Sequence, residues 1–360
     1  MPKLRSPLLS ILLALALPAC ALPAEDDGAE TAEATSALTS PWSARNTSGP
    51  ATWQGPQVGS INGQTFGVFA GSCTGGGCFP DQYDRTQLRW GQFVSGAWQP
   101  NSFTAYPISN ETTHDKVSLA AFNGYLYMAH VGGDDNNVNT TWISRFDPVS
   151  RTWNADRQIT YPSFNGPPAL AVFNNRLYFI SSQSSSPYAM WYGSMDANEN
   201  FSPMYAIPGH QSLSRASATV AFGKLFFAHE WGATDDLVYG TFDGTTWSPV
   251  QHIYGGMNNG ALQGHEAAIA YDGTTLHLVH RRINDTFVWW TTYDGCKWST
   301  AETQIGGQQA DLAPSLSATS AGLIMTLPHY YTSAGDYYAT DSMSYTKPFS
   351  TVRCGIGIGG

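Results

Sequence analysis

Three histidines recur at one position of a repeated sequence pattern, and histidine is a side chain that can bind a ligand or move a proton. Each lies near the end of an apolar strand that follows a tight turn, at His130, His229 and His280. The other repeats carry Ala70, Ser181 and Leu327 there. A histidine ring nitrogen can donate to a hydroxyl or a carboxylate. The repetition predicts either equivalent binding pockets or a structural hydrogen bond repeated between strands.

Aromatic and charged residues accompany these histidines. Glu230 and Trp231 follow His229, Arg281 follows His280, and the next strand of each repeat supplies further aromatic rings. An aromatic ring stacks on the apolar face of a sugar, while polar side chains bond to its hydroxyl groups. For each ring the alternative is packing between sheets. The residues predicted to bind a ligand are His130, His229, Glu230, Trp231, His280, Arg281, Trp289, Trp290, Tyr239 and Trp191.

The elements that carry these residues are hairpins in a repeat of about fifty residues. The segment from Ser118 to Tyr127 reads SLAAFNGYLY, and that from Ala169 to Tyr178 reads ALAVFNNRLY. Each joins two apolar stretches through an Asn-Gly type of turn, which is the pattern of a β-hairpin. Looser copies begin at Val58, Ala218, Ala267 and Ser315.

A second hairpin closes each repeat, with an aromatic residue after an Asp-Gly turn. It is clearest where Trp247 and Trp298 end the sequences FDGTTW and YDGCKW, and further closing aromatics stand at Trp98, Trp153, Phe201 and Phe349. Two hairpins per repeat give four antiparallel strands, and six repeats predict an all-β, six-bladed β-propeller over residues 42–360. Seven blades are the alternative. Trp42 resembles a closing aromatic, so we expect the N-terminal strand to complete the last blade.

Composition excludes several classes of partner. Only 12% of the 360 residues are charged, the formal net charge is −10, and no basic cluster is present. An acidic chain of this kind is a poor ligand for nucleic acid or for an anionic membrane surface. We therefore expect no nucleic-acid partner, and we expect a monomer.

The N-terminus predicts export. Residues 1–20 combine a basic start, a short apolar run and a Leu-Pro-Ala-Cys ending at Cys20, which resembles a lipoprotein-type signal peptide with Cys20 as the lipidated residue. A plain secretory signal is the alternative. Residues 21–41 read as a disordered acidic tether. The expected location is extracytoplasmic: an outer-membrane or cell-surface lipoprotein that meets the membrane only through its lipid anchor, or a secreted protein.

Four further cysteines fit an exported, disulfide-bonded protein. We predict the pairs Cys73–Cys78 and Cys296–Cys354, because the cysteine count is even and no Cys-x-x-Cys zinc spacing occurs. No metal site and no cofactor are predicted. Calcium is the alternative at Asp134-Asp135-Asn136-Asn137, a stretch that is also typical of a polar loop.

The hairpin motifs resemble those of bacterial propellers related to the fucose-specific lectins, in which phrases such as Ala-Leu-Ala-x-Phe-Asn-Gly-x-Leu-Tyr recur in each blade. The Phe242 to Trp247 turn also looks like a shortened Asp-box of sialidase propellers. The resemblance covers about residues 50–354. It implies a propeller, while the motifs themselves are structural turns and anchors that specify no ligand.

The resulting functional prediction is a lectin-like protein that binds glycans in repeated pockets between blades, without catalysis. One alternative is a polysaccharide lyase or glycoside hydrolase at the central mouth, near residues that precede innermost strands: His114, Lys116, Arg215, His265 and Glu266. Candidate carboxylates near strand ends are Asp115, Glu230, Asp235, Asp236, Glu266 and Asp311. The other alternative is a cell-surface scaffold for protein interactions.

Overall fold

Tight turns with left-handed residues divide the chain into short antiparallel strands. Asn123 and Gly124, with φ angles of 48° and 83°, form such a turn, and Asn62 and Gly63 form another at 51° and 74°. Two successive positive φ angles give the hairpin turn whose twist matches that of the flanking strands. The Asn-Gly pairs of the sequence therefore act as predicted.

The computed structural model describes most of the second of two units, Ser40–Gly360, and none of the first, Met1–Thr39. The described residues are 42–43, 51–52, 54–70, 86–94, 97–99, 107–113, 115–132, 140–159, 164, 166–232, 234–254, 264–282, 286–310, 312–320, 322–331 and 337–345. Among these residues no helix is long and apolar enough to span a membrane. The predicted signal peptide and tether lie outside the described residues.

The regular elements described are all strands. In chain order they are β1 (Ala51–Thr52), β2 (Gln54–Ile61), β3 (Gln64–Ala70), β4 (Thr86–Val94), β5 (Ala97–Trp98), β6 (Pro107–Thr113), β7 (Ser118–Phe122), β8 (Tyr125–Val131), β9 (Thr141–Asp147), β10 (Thr152–Trp153), β11 (Arg157–Ile159), β12 (Ala169–Phe173), β13 (Arg176–Ser182), β14 (Ala189–Met195), β15 (Tyr205–Gln211), β16 (Ser217–Ala221), β17 (Lys224–Glu230), β18 (Leu237–Phe242), β19 (Gln251–His252), β20 (His265–Tyr271), β21 (Leu276–Arg281), β22 (Phe287–Tyr293), β23 (Thr303–Gln309), β24 (Ser315–Thr319), β25 (Gly322–Tyr331) and β26 (Tyr337–Ser344).

The strands form antiparallel sheets in which each strand pairs with the next along the chain. The spatial orders are β2-β3-β4-β5, β7-β8-β9-β10, β12-β13-β14-β15, β16-β17-β18-β19, β20-β21-β22-β23 and β24-β25-β26-β1. We call them sheets 1 to 6 in that order. Two further strands, β6 and β11, pair with β4 and β9. The prediction of an all-β propeller built from four-stranded antiparallel sheets is confirmed.

The first strands of the sheets pack side by side around an axis. β2 contacts β7, and the contacts continue through β12, β16, β20 and β24 back to β2. The interfaces between neighbouring sheets are apolar. Between sheets 1 and 2, for example, Phe66 and Trp90 pack on Phe146 with ring centroids 5.0 and 4.8 Å apart. Burial of such surface is the main force that holds neighbouring sheets together.

The N-terminal strand completes the last sheet, as the sequence predicts. β1 pairs with β26 through Ala51 and Ala339, and Trp42 forms an antiparallel bridge with Tyr345. The Trp42 side chain is buried and packs edge-on against the rings of Tyr345 and Trp290, at 5.4 and 6.4 Å. The two ends of the chain are thereby joined in one sheet.

The closing aromatics occupy the predicted second hairpin of the repeat. Trp98 lies in β5 and Trp153 in β10, while Phe201, Trp247 and Trp298 form bridges across the equivalent turns. Phe349 lies outside the described residues. Trp98 crosses its own sheet at Gly67, where an added Cβ would come within 1.9 Å of the indole ring. A glycine at this position of the strand leaves space for the anchor.

The first repeat was aligned wrongly by one residue, because Ala70 was assigned to the position of the repeated histidines. The β2–β3 hairpin pairs Ile61 with Gln64, just as Phe122 pairs with Tyr125 in the next sheet. Counting from these pairs, Phe69 and not Ala70 is equivalent to His130. The error arose because the first apolar residue of β3 stands one position later than in β8.

The role of Trp42 in joining the chain ends can be tested by truncating its side chain. We expect Trp42→Ala to lower the free energy of unfolding by about 3–5 kcal/mol, since it leaves a large cavity in the core between sheets 5 and 6. Urea unfolding would measure the change, and Val149→Ala, at an 87% exposed position, is the control. Equal stability of the two variants would mean that this segment does not contribute to closure.

Candidate functional site

A cavity lies where the first strands of the sheets surround the axis. It encloses about 680 Å³, including the solvent at its opening, and is lined by residues at or next to β2, β7, β12, β16, β20 and β24. Most of the lining side chains are small or apolar, such as Ser118, Ala169 and Ser217. Among its described lining residues the charged ones are Lys116 and Arg215. A concave site with few polar groups is the usual form of a ligand site.

Lys116 and Arg215 lie at one end of this cavity. Each stands two residues before the first residue of an inner strand, β7 or β16. Because the inner strands of a propeller are related by rotation about one axis, their N-terminal ends meet at the same edge of the ring. We call this edge the mouth. His265 begins β20 and pairs with Arg281, which places its backbone at the same edge.

An ion pair connects distant sheets at the mouth. The Arg215 guanidinium donates to Asp115 Oδ1. Arg215 precedes β16 of sheet 4 and Asp115 precedes β7 of sheet 2, so the ion pair passes over sheet 3, which lies between them. Gly166 leaves the room for it, because a Cβ there would lie 2.8 Å from both Asp115 Oδ2 and Arg215 Cδ. Both side chains remain partly accessible to solvent: 23% of the Asp115 side chain and 14% of the Arg215 side chain are exposed. A ligand at the mouth can therefore reach them.

Local hydrogen bonds fix the Asp115 side chain. The backbone N–H of Lys116 donates to Asp115 Oδ1 over 2.8 Å, and the N–H of Asp115 donates to Thr113 Oγ1 over 3.1 Å. The Thr113 hydroxyl in turn donates to the Asp115 carbonyl over 2.9 Å. A carboxylate held in this way is preorganised to accept a proton or to orient a water molecule.

A second carboxylate belongs to the same end of sheet 4. β16 and β17 pair through Ser217 and Ala228. Continuing this antiparallel register by two residues places Glu230 opposite Arg215. Glu230 is the last residue of β17 and is buried. Along β17, Phe226 and Ala228 pack with sheet 5, whereas Leu225 and Phe227 pack with sheet 3. Because side chains alternate along a strand, Glu230 lies on the sheet 5 side of this edge, while the Asp115–Arg215 pair lies over sheet 3.

Hydrogen bonds between neighbouring inner strands hold the wall of the cavity. Ser317 Oγ donates to the Val58 carbonyl over 2.6 Å, and the Ile269 N–H donates to Ser217 Oγ over 3.0 Å. Gln57 Nε2 also donates to Ser315 Oγ. These bonds tie sheet 6 to sheet 1 and sheet 5 to sheet 4, so the mouth is built on a stiff ring.

The three repeated histidines are buried inside the sheets. His130 Nε2 bonds to Asp156 Oδ2 and His280 Nε2 to Glu302 Oε2, each over 2.7 Å. His229 Nε2 lies 3.0 Å from Nδ1 of His210. At most 1% of each ring is exposed, which favours the structural hydrogen bond over a ligand pocket. A sugar would reach these rings only if the sheets moved apart.

The other predicted ligand residues are spread over sheets 3, 4 and 5. The adjacent rings Trp289 and Trp290 point to opposite faces: Arg282 covers Trp289 at 3.4 Å, while Trp290 stacks on His277 at 5.8 Å. Trp191 is half-buried, Tyr239 is buried, and Trp231 and Arg281 are half-buried at strand ends. The structure brings Glu230 to the mouth, and it does not gather the predicted set into one pocket.

The Asp-box-like turns lie at the opposite end from the mouth. In a sheet of consecutive antiparallel strands, the turn after the third strand is at the same end as the turn after the first. Asp243 Oδ1 accepts the backbone N–H groups of Thr246 and Thr245, each over 2.8 Å, and these donors lower the pKa of Asp243 to about 2. The turn is structural, as the resemblance implied.

Several sequence predictions fall outside the described residues. These are Cys20, Cys73, Cys78 and Cys354, the Asp134 to Asn137 stretch, and His114 and Asp311. Among the described residues, no group of three or more His, Cys, Asp or Glu side chains is arranged to hold a metal ion.

Sequence reasoning did not find several partners in these contacts. Asp156 and Glu302 stand at equivalent positions, two residues before Gln158 and Gln304, and these glutamines pair with Trp142 and Trp289 opposite the histidines. A carboxylate two residues before a Gln-Ile pair is thus a repeated signal that the sequence analysis missed. His210 has no such signal. Asp115 and Arg215 were noted separately, because each precedes an inner strand. Nothing in the sequence indicates that they meet across sheet 3.

Comparison with known proteins supports the fold and gives no family. No protein-family model matches the sequence, and no curated protein matches it either. Among solved structures, a Trypanosoma rangeli sialidase in complex with sialic acid superposes with a TM-score of 0.55 at 10% identity, covering 82% of this chain and 54% of that chain. This chain thus spans about half the length of the sialidase.

Two further structures match over nearly their full length. The Penicillium chrysogenum α-L-arabinanase complexed with arabinobiose has a TM-score of 0.53 at 11% identity, covering 83% of this chain and 95% of that one. A mutant of AofleA from Arthrobotrys oligospora has a TM-score of 0.56 at 8% identity, covering 84% and 90%. At these identities the likeness shows the β-propeller fold alone.

These findings correct the main functional prediction. The neighbours whose names give an activity are a sialidase and an arabinanase, which contradicts the prediction of a non-enzymatic lectin. The resemblance to fucose-specific lectins finds no match among the sequence families. It rested on hairpin turns and closing aromatics, which any propeller with this repeat requires.

The buried histidine pair predicts a pH dependence of stability. Burial, and then the neighbouring His210, lower the pKa of His229 from 6.5 to about 3. Between these pH values the unfolded chain binds a proton that the folded protein does not, so acidification lowers the free energy of unfolding by about 1.4 kcal/mol per pH unit. We expect His229→Leu to flatten this slope in urea titrations, since Leu327 stands at the same position of sheet 6.

The control is Val149→Ala, at an 87% exposed position that carries no titratable side chain. It should leave the slope unchanged. A wild-type protein that became more stable on acidification would contradict the prediction and would mean that the two rings share a bound proton.

Proposed function

We propose that this protein is a glycoside hydrolase whose active site is the mouth of the central cavity. The observation that carries the proposal is the Asp115–Arg215 ion pair across the mouth, with the carboxylate of Glu230 at the same edge of sheet 4, on its sheet 5 side. Glycoside hydrolysis commonly uses two carboxyl groups on either side of the scissile bond. The named activities of the structural neighbours support the same class of reaction.

The residues at the mouth have complementary roles in this mechanism. Asp115, held by the Lys116 N–H, is the carboxylate that attacks the sugar or activates water. Glu230 donates a proton to the leaving oxygen. Arg215 orients Asp115, and with Lys116 it binds hydroxyl or acidic groups of the substrate. The small side chains along the inner strands leave room for a sugar unit at the mouth.

The proposal is tested by removing each carboxyl group while keeping its shape. Asp115→Asn and Glu230→Gln should each lower kcat by about 10²–10⁴-fold, because an amide neither transfers a proton nor attacks the sugar. The substrates are nitrophenyl arabinoside and xyloside, a fluorogenic sialoside, arabinan and xylan. Asp243→Asn, in a turn at the far end of the sheets, is the control and should retain full activity.

Thermal unfolding of all three variants would separate lost chemistry from lost folding. Full activity in both carboxyl variants, or no hydrolysis of any substrate by the wild-type protein, would contradict the proposal. A product with an unsaturated sugar ring would instead identify a lyase.

We propose a six-bladed ring, in which each of sheets 1 to 6 forms one blade. The order of contacts between inner strands, which runs from β2 through β24 and back to β2, supports this number. A seventh blade would have to insert between two inner strands that already pack together.

The proposed partner of this protein is a glycan, because glycoside hydrolases act on glycans.

We also propose that the protein is exported and disulfide-bonded. The bonded state of Cys296 supports a pair with Cys354, and disulfide bonds persist mainly in oxidising, extracytoplasmic compartments. Lipidation at Cys20 would anchor the enzyme to a membrane, with residues 21–41 as the tether. Hydrolysis of an external polysaccharide would require such a location.

The anchor can be tested by fractionation in a bacterial host. We expect the wild-type protein in the membrane fraction, with the mass of a lipid on its N-terminal cysteine, and Cys20→Ser in a soluble fraction, because a single lipidated residue provides the attachment. Mass spectrometry of the mature N-terminus measures this directly. An unlipidated wild-type N-terminus would support the plain secretory signal instead.

A further inference from the structure

A groove lies between sheets 4 and 5, on the side of the sheets away from the central cavity. It encloses about 1230 Å³, including its open side. One wall comes from β19 and the residues after it, with Gln251, His252 and Tyr254. The other wall comes from the turn after β22, with Lys297 and Trp298. None of the mouth residues lines this groove.

Aromatic side chains lie in the floor and on both walls of the groove. Tyr239 lies in its floor, 5.6 Å edge-on from Trp298, and Tyr293 lies 5.3 Å from the same indole ring. Tyr254 stands at the rim beside His252, and 56% of its surface is exposed. An exposed tyrosine beside half-buried rings provides flat apolar surface that a ligand can cover.

The polar groups of the groove are hydrogen-bonding groups with few charges. Burial raises the pKa of Tyr239 to about 12, and burial also raises the pKa of Tyr293, so both phenols are neutral. The Tyr239 hydroxyl donates to Gln251 Oε1 over 2.6 Å, which fixes the amide with its nitrogen as the available donor. Lys297 is exposed at the rim and is the one fully charged side chain among the described lining residues.

We propose that this groove binds a segment of the polysaccharide substrate outside the active site and holds the polymer on the enzyme. The inference rests on the proposed hydrolase function and specifies its substrate as a polymer. Sugar rings present apolar C–H faces to aromatic side chains and hydroxyl groups to amides and lysine, which matches Tyr254, Trp298, Gln251 and Lys297. The groove lies at the outer strands of its sheets and the mouth at the innermost ones, so a ligand must span about three strand spacings, roughly 14 Å, to occupy both.

The groove can be tested by removing its exposed ring. Tyr254→Ala should weaken binding to arabinan, xylan or polysialic acid by up to about tenfold, the effect of losing one stacking contact. Tyr205→Ala removes a tyrosine that is 51% exposed on sheet 3, outside the groove, and is the matched control. Binding is measured on the full chain by depletion from solution with each polymer. Hydrolysis of the aryl glycosides is measured in parallel.

Three results would support the groove when found together: weaker polymer binding by Tyr254→Ala, unchanged binding by Tyr205→Ala, and equal aryl glycoside hydrolysis by both. The groove is contradicted if Tyr254→Ala binds polymer like the wild type, if both variants lose binding equally, or if the wild type binds no polymer. Selective binding of a proline-rich peptide, the other ligand that aromatic grooves accept, would also contradict it.

The groove and the hydrolase proposal fail separately. If Tyr254→Ala loses polymer binding and the wild type hydrolyses none of the substrates, the binding groove is supported and the hydrolase proposal is contradicted. If Asp115→Asn abolishes hydrolysis while Tyr254→Ala hydrolyses both polymer and small glycosides like the wild type, the hydrolase proposal stands and the groove proposal is contradicted.

Discussion

The structure depends on one constraint: each sheet is apolar on both faces, so a neighbouring sheet must cover each face. In sheet 1, Phe66 and Val68 pack against sheet 2, while Phe69 packs with Ile324 of sheet 6. Only a closed ring covers every face. That requirement explains why the N-terminal strand β1 joins sheet 6 and why Trp42 is buried near Trp290.

Closure also creates the proposed active site. The rotation that relates the sheets brings the N-terminal ends of the inner strands to one edge, so residues far apart in sequence become neighbours there. Asp115 and Arg215 meet over Gly166 for this reason. Hydrogen bonds between inner strands join sheet 6 to sheet 1 and sheet 5 to sheet 4, which helps to hold the wall of the cavity in place.

The repeated histidines show that a periodic signal does not by itself identify a ligand site. Their burial favours a structural role: His130 and His280 bond to carboxylates at one equivalent position, Asp156 and Glu302, while His229 contacts His210. Periodicity reports a shared position in the repeat and therefore favours packing roles. A catalytic site breaks the repeat, because the residues that converge on one ligand come from different positions in different sheets.

The sequence by itself determined the strand pattern, the hairpin turns, the closing aromatics and the end-joining strand, because these depend on local backbone preferences and on apolar periodicity. It also marked Lys116 and Arg215 as residues that precede inner strands. Only the tertiary structure decided which histidines are buried, that Asp115 and Arg215 meet at the mouth, and that aromatic residues of sheets 4 and 5 share a groove. Those contacts depend on the rotation between sheets and on side-chain packing across their interfaces, and neither is encoded in the spacing of residues along one strand.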